Sequence, residues 1–271
     1  MRIRSVVFAT IPLLVFAGPA IASAAVKPLA LPNPSWSGYS ASPAKGTLNT
    51  STATWRIPKV TCPSKGTQRA AVWVGLWGDN KSIKNGKAWL PQIGTDSQCS
   101  NGQATYFIVY QLYHGNAQFC ALLPEWVFEH VCKGTKPIQV MTPEVHAGDQ
   151  VQAFVRFTHK SKDGKLHFDL DLNDNSAGKW VDKYVAVDAG TDMSEVASQG
   201  GVIVEDNSED GGLAKFNPIK LWFSDENHSK KFSVNDWQLK VGKTALATNS
   251  ALKIHDLISG GTFTVTWNHA S

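Results

Sequence analysis

Hydrophobic and polar residues alternate with a period of two in many short stretches of this 271-residue chain. Such alternation places one face of a β-strand in a core and the other face in water. Gly, Asn, Asp and Ser bound the stretches, as turn residues bound strands. The predicted strands include residues 72–77, 106–113, 151–157, 166–172, 184–187, 202–204, 219–223 and 262–267.

Many short strands together with weak helical patterns favour an all-β fold. We predict an antiparallel β-sandwich of two packed sheets, of the lectin or jelly-roll kind. The content of 42% hydrophobic and 18% charged residues is that of a folded globule. No internal boundary stands out, and sandwiches of roughly 200–250 residues commonly form one domain. Residues 35–271 are therefore predicted to form a single domain, after an extended, proline-punctuated lead-in over 25–34.

The N-terminus has the order of a secretory signal peptide. Arg2 and Arg4 give a positively charged start, residues 6–17 form an apolar run, and small residues follow as far as Ala24. The apolar run is shorter than the ~20 residues that a membrane span needs. We expect residues 1–24 to be a signal peptide. The mature protein would then be secreted, extracellular or periplasmic, with no membrane association after cleavage.

Four cysteines follow this segment. An even number in an exported chain indicates disulfides, and three pairings are open. We favour Cys62–Cys99 and Cys120–Cys132, because the second bridge closes a short local loop and leaves the first to brace a longer one. No Cys or His residues have the spacing of a zinc site, so no metal is predicted.

Charge and motifs exclude several classes of function. The formal net charge is +4, and the basic residues are scattered singly rather than in a stripe interleaved with aromatics, which argues against nucleic-acid binding. There is no G-x-S-x-G elbow, H-E-x-x-H helix, phosphate-binding loop or dinucleotide fingerprint. Asp169 and Asp171 are interpreted as the acidic solvent face of a strand rather than as a calcium loop. No cofactor is predicted, and we expect a monomer.

Seven segments carry a further pattern in a fixed order along the chain. They are residues 33–39 (N-P-S-W-S-G-Y), 54–58 (T-W-R-I-P), 70–78 (A-A-V-W-V-G-L-W-G), 91–96 (P-Q-I-G-T-D), 106–113 (Y-F-I-V-Y-Q-L-Y), 148–151 (G-D-Q-V) and 201–206 (G-V-I-V-E-D). Together they resemble the motifs of the glutamic peptidases, the eqolisin family. The Q-x-G-x-D and I-V-E-D elements, preceded by W-V-G, are the most specific. The chain is identified on this basis as a divergent, bacterial-type member.

The resemblance implies a sandwich of two antiparallel sheets, polypeptide substrates and a catalytic pair at Gln92 and Glu205. It also implies substrate-cleft aromatics at Trp73 and Tyr113, and a supporting acidic residue, Asp96, near the glutamine. We expect the Glu205 carboxyl and the Gln92 amide to face one cleft, on neighbouring strands, close enough to share a water.

The chain departs from the family pattern at two acidic positions. Trp77 stands where the family has Asp, and Gln111 stands where it has Glu. Residues 79–87 and 115–131 are additional segments by comparison. These departures leave a second hypothesis open, which is a non-catalytic, lectin-like sandwich that binds carbohydrate or peptide.

A Glu and Gln pair suits amide hydrolysis in acid. A carboxyl group in a partly apolar cleft has a raised pKa and can accept and then donate a proton. A neutral amide supplies N–H donors for a water and for the developing oxyanion at low pH, where a histidine base would be protonated. The sequence therefore predicts an acid-acting endopeptidase in which Glu205 moves protons and Gln92 orients the water and holds the oxyanion.

Overall fold

The computed structural model describes residues 29–33, 36–78, 88–115, 138–140, 144–188, 190–206, 216–225, 232–241, 244–245, 247–250, 253–256 and 260–267. These residues form β-strands, turns and one short helix, α1 (Ser194–Ala197). The strands are β1 (Leu29–Asn33), β2 (Trp36–Pro43), β3 (Leu48–Arg56), β4 (Thr67–Trp77), β5 (Ala88–Ser100), β6 (Gln103–Gly115), β7 (Ile138–Val140), β8 (Gln150–Lys160), β9 (Leu166–Asp174), β10 (Lys179–Val187), β11 (Gln199–Asp206), β12 (Phe216–Asp225), β13 (Phe232–Val241), β14 (Thr244–Ala245), β15 (Ala247–Asn249), β16 (Lys253–Asp256) and β17 (Gly260–Trp267).

The strands form two sheets. The nine-stranded sheet has the order β1-β13-β2-β11-β4-β5-β6-β7, with β14 paired to β13. The eight-stranded sheet has the order β10-β9-β8-β3-β12-β17-β15, with β16 paired to β17. In the described part of the chain every pairing is antiparallel except that of β1 with β13. The predicted antiparallel two-sheet sandwich is confirmed, and all eight predicted strands lie within observed ones.

Alternating apolar residues of both sheets fill the space between them. On β4 the inward side chains include Val72, Val74 and Leu76, each at most 1% exposed. The indole of Trp55 on β3 reaches across the interior and donates from Nε1 to Thr95 Oγ1 of β5 at 2.9 Å. Because neighbouring side chains of a strand point to opposite faces, Gln92 and other even-numbered residues of central β5 point outward.

One disulfide ties β5 to the segment that precedes β4. Cys62 and Cys99 are bonded, with their Cα atoms 5.3 Å apart. This confirms the first predicted bridge, whereas Cys120 and Cys132 lie outside the described residues. The predicted signal peptide also lies outside them. No helix within the described ranges has the length and apolarity needed to cross a membrane.

The interpretation of β9 as a strand with a solvent-facing acidic side is wrong for one residue. Asp171 points away from the core, but its side chain is only 3% exposed. Phe154 of β8 and Asp182 of β10 lie directly opposite it on the two flanking strands. The ring of Trp180 also contacts Phe154, with the centroids 6.1 Å apart. Large neighbours therefore bury a carboxyl group that alternation alone places in water.

Candidate active site

The outer face of the nine-stranded sheet, called the site face below, carries both predicted catalytic residues. Glu205 on β11 lies opposite Trp36 of β2 and Ala71 of β4. Gln92 on β5 lies opposite Gly75 of β4. Both side chains belong to the set that points away from the core. The expectation of neighbouring strands is wrong, because β4 lies between β11 and β5.

Trp73 occupies the position between the two residues. The pairing partners of Glu205 and Gln92 on β4 are four residues apart, Ala71 and Gly75, and Trp73 is midway between them. In a flat sheet two strand spacings and four residues separate two Cα atoms by roughly 16 Å. The two long side chains and the intervening indole therefore line one continuous strip of the site face.

Three indoles pack against one another along this strip. Ring centroids of Trp36 and Trp73 are 5.2 Å apart, and both lie 6.1 Å from the Trp77 ring, in edge-to-face arrangements that aromatic pairs prefer. Two glycines make room for them. A Cβ on Gly75 would lie 3.1 Å from Trp73 Cζ3, and one on Gly201 would lie 2.7 Å from Trp77 Cη2. The floor beside Glu205 is therefore apolar and closely packed.

The Glu205 carboxyl is partly buried against this floor and is held by an indole donor. Trp73 Nε1 donates to Glu205 Oε2 at 2.7 Å. Burial raises the pKa of Glu205, while the hydrogen bond from Trp73, the nearby Trp36 indole and the charge of Arg69 lower it. Burial is the largest contribution, so the pKa stays above that of an ordinary glutamate. A group of this kind can exchange a proton in mildly acidic solution.

Gln92 is held by a second amide side chain. Its Nε2 donates to Gln111 Oε1 of β6 at 2.7 Å. Gln111 lies directly opposite Gln92 and is 6% exposed. Gln92 Oε1 is buried, and within the described residues no donor is in reach of it. The amide is thus fixed through one N–H and keeps its second N–H and its oxygen for other partners.

Asp96, predicted near the glutamine, is closer in register to Glu205. It lies on β5 opposite Ala71, which is also the β4 partner of Glu205. Its side chain is fully buried and forms an ion pair with Arg69. Burial raises the pKa of Asp96, and the Arg69 guanidinium opposes this. Two carboxyl groups and one guanidinium therefore share this end of the site face.

Tyr113 lies at the other end of the site face. It is 3% exposed and sits on β6 opposite Leu90, two residues beyond Gln111. Burial raises the pKa of its phenol above the ordinary value of 10.0. The structure thus brings Tyr113 beside the Gln92 end and Trp73 beside Glu205, so the two predicted cleft aromatics do not form one cluster.

The sequence interpretation gave no role to three residues of this face, Trp36, Arg69 and Gln111. Trp36 belongs to the N-terminal motif. Arg69 is four residues before Trp73 on β4, and this even spacing indicates that both side chains point to the same face. Gln111 was noted only as a departure from the family pattern. Among the described residues no cluster of three or more His, Cys, Asp or Glu is arranged to hold a metal ion.

Comparisons with known proteins agree with this architecture. The family model for the Peptidase A4 family matches residues 34–267. Scytalido-glutamic peptidase, solved with a transition-state analogue inhibitor, superimposes with a TM-score of 0.53 at 16% identity, covering 86% of this chain and 98% of that one. SCP-B, a member of the eqolisin family solved with the tripeptide Ala-Ile-His, gives a TM-score of 0.53 at 17% identity with the same coverage. No curated protein sequence matches the chain significantly. The chain belongs to the Peptidase A4 family and is a hydrolase of the glutamic endopeptidase class.

Proposed function

We propose that this chain is a secreted, acid-acting endopeptidase in which Glu205 and Gln92 perform the hydrolysis. The observation that carries the proposal is the setting of Glu205. Its partly buried carboxyl accepts a hydrogen bond from Trp73 on the same sheet face as Gln92. Desolvation and a directed donor are the means by which proteins tune a carboxyl group for proton transfer.

The peptide substrate would bind along the strip between the two residues. Ionised Glu205 removes a proton from a water as the water oxygen bonds to the scissile carbonyl carbon. The negative charge that develops on the carbonyl oxygen is stabilised by the second N–H of Gln92. Protonated Glu205 then delivers its proton to the amide nitrogen as the C–N bond breaks. The products are a carboxyl group and an amine, and Glu205 is again ionised.

The two groups suit an acidic medium for different reasons. The raised pKa of Glu205 makes its conjugate acid available to protonate the leaving nitrogen in mild acid. Gln92 does not titrate, so its donor stays in place at any pH. Arg69 and Asp96, paired beside Glu205, leave little net charge there while Asp96 is ionised.

Export is supported by two independent features. The first 24 residues have the charge and hydrophobicity of a signal peptide. The Cys62–Cys99 bridge belongs to an oxidising compartment, because cytosolic thiols are kept reduced. Both features fit a peptidase that meets its substrates outside the cytoplasm.

Digestion of an unfolded protein substrate from pH 2 to pH 7 tests the proposal. We expect cleavage in acid, and we expect Glu205→Gln and Gln92→Ala to lose about 100-fold or more in kcat/KM, the usual cost of a general acid–base or an oxyanion donor. Circular dichroism would check that both variants fold. Wild-type cleavage by Glu205→Gln would contradict the mechanism. Oligosaccharide binding with no proteolysis at any pH would favour the lectin-like alternative.

A further inference from the structure

The contact between Gln92 and Gln111 joins two neutral amides directly opposite each other on β5 and β6. The donor is Gln92 Nε2, the acceptor is Gln111 Oε1, and the distance is 2.7 Å. Gln111 is itself buried, at 6% exposure. Close packing leaves a buried side chain few rotamers, so the Gln111 amide stays beside Gln92, and in this structure it presents its oxygen to Gln92.

The Gln111 oxygen, presented in this way, sets the direction in which the Gln92 amide faces. An amide can present either its oxygen or its nitrogen at a given position, and the surrounding hydrogen bonds select one of the two. Gln111 Oε1 can accept but cannot donate. It therefore holds Gln92 Nε2 toward β6, and it leaves the second N–H and the buried Oε1 of Gln92 in a single defined arrangement.

We propose that Gln111 is a positioning residue, which acts through Gln92 and makes the orientation of the Gln92 amide independent of pH. This inference rests on the proposed function, because it assumes that Gln92 takes part in the reaction. It adds a residue to that site and gives a physical role to a position that otherwise counts only as a departure from the family pattern.

The chemistry of the side chain explains why an amide suits this position. A glutamate would accept from Gln92 while ionised, but an ordinary glutamate becomes protonated near pH 4.3. The protonated carboxyl is a donor, so it can pair with Gln92 Oε1 and favour the reversed amide. Gln111 has the same length as glutamate and does not titrate. The arrangement therefore persists into strong acid.

The described neighbours of Gln111 on the site face of β4, β5 and β6 carry no charged side chain. Those described on β4, β5 and β6 are Gly75, Leu90, Gly94, Val109 and Tyr113. Tyr113 is the one titratable residue in this set, and burial raises the pKa of its phenol. It remains neutral throughout the acidic range and adds no charge beside the amide pair there.

Two substitutions separate positioning from mere packing. Gln111→Met keeps the approximate volume and removes the acceptor. We expect kcat to fall by roughly 100-fold at every acidic pH, the cost of misplacing a reacting group by about 1 Å, with KM changed much less. Gln111→Glu restores an acceptor of equal length only above its own pKa. We expect near wild-type kcat at pH 6 and an additional loss of activity below about pH 4, near the ordinary glutamate pKa.

A double-mutant cycle tests whether Gln111 works through Gln92. In the Gln92→Ala background, Gln111→Met is expected to have no further effect on kcat, since nothing is left to position. Thermal melting of every variant gives the check on folding. If Gln111→Met does not fold, the pH profile of Gln111→Glu decides the matter on its own.

The outcomes also separate this inference from the proposed function. Wild-type kcat for Gln111→Met, or a wild-type pH profile for Gln111→Glu, overturns the positioning role even when Glu205→Gln and Gln92→Ala are inactive. Full activity of Gln92→Ala overturns the proposed function and the positioning role together. Equal losses from Gln111→Met in the wild-type and Gln92→Ala backgrounds would show a structural role and contradict the inference.

Discussion

The outer faces of the two sheets each carry a carboxyl group whose pKa is raised mainly by burial. On the nine-stranded sheet one such group is Glu205, which lies against the Trp36 indole and accepts a hydrogen bond from Trp73. On the eight-stranded sheet it is Asp171, and the neighbour opposite it on β10 is a second carboxyl group, Asp182. Burial and Asp182 together raise the pKa of Asp171 to about 7.

The difference shows that a perturbed carboxyl group does not by itself mark a reaction site. The Trp73 donor stabilises the ionised form of Glu205, and an apolar floor and an oriented amide lie on the same face. The second carboxyl group beside Asp171 stabilises its protonated form, and Asp169, on the same strand, acts in the same direction. The first setting favours repeated proton exchange, whereas the second favours retention of a proton.

Among the substitutions that leave the Glu205 carboxyl itself in place, removal of the indole donor is expected to have the largest effect. Trp73→Phe keeps the ring packing but leaves Glu205 Oε2 without its 2.7 Å donor. A hydrogen bond to a charged group contributes about 1.5–3 kcal/mol, so we expect kcat/KM to fall roughly 10- to 100-fold. Trp180→Phe is the matched control, because this indole lies on the other sheet and is 51% exposed. Equal activity of the two variants would remove the distinction between the faces.

Asp171→Asn is expected to change the pH dependence of stability and not the activity. The folded-state pKa of Asp171, about 7, lies above its ordinary value of 3.8. Its contribution to stability is therefore fully present below pH 3.8 and is lost as the pH rises toward 7. The free energy of unfolding of Asp171→Asn should fall less than that of the wild type between these values, by up to about 4 kcal/mol.

Urea unfolding in a Glu205→Gln background, which prevents self-digestion, would measure this slope. Asp163→Asn is the control, since Asp163 is exposed and its pKa is lowered by the Ser161 hydroxyl. That variant should leave the slope between pH 4 and pH 7 unchanged. A slope in Asp171→Asn identical to that of the wild type would show that the Asp171 proton does not contribute to stability.

Substitution of Arg69 is expected to have the smallest effect, a shift in the pH dependence of kcat/KM. Its positive charge lowers the pKa of Glu205, so Arg69→Gln should raise that pKa and move the acidic limb of kcat/KM to higher pH. Arg69→Lys keeps the charge beside Asp96 and should move the limb less. A pH–rate profile of the wild type and the two variants gives the pH of the acidic limb in each protein. A limb that moves to lower pH in Arg69→Gln would mean that Glu205 is not the group that must be ionised.

The sequence predicts the core strands well because burial on one face dictates their alternation. It does not predict β5 by that route, since Pro91 and Gly94 interrupt the pattern of the strand that carries Gln92. Likewise β2 contains Ser37 and Ser40, which are polar yet fully buried. Only the resemblance to the family motifs singles out the functional residues on these two strands.

The placement of site residues depends on register, which a single sequence does not contain. The motifs bring Gln92 and Glu205 to attention, but pairing across β4 decides that they share a face and are not on adjacent strands. In the same way, Gln111 gains a role only because it lies opposite Gln92. The burial of Asp171 depends on Phe154, seventeen residues away in the chain and opposite it in the sheet.

A pair of isosteric substitutions tests the central claim most directly. Glu205→Gln and Asp171→Asn each replace a carboxyl group by an amide of the same size, one on each outer face of the sandwich. Peptidase kcat/KM in acid, measured side by side on folded protein, should fall about 100- to 10,000-fold for Glu205→Gln. It should remain at the wild-type value for Asp171→Asn. Comparable losses in both variants, or no loss in Glu205→Gln, would contradict the assignment of catalysis to the site face.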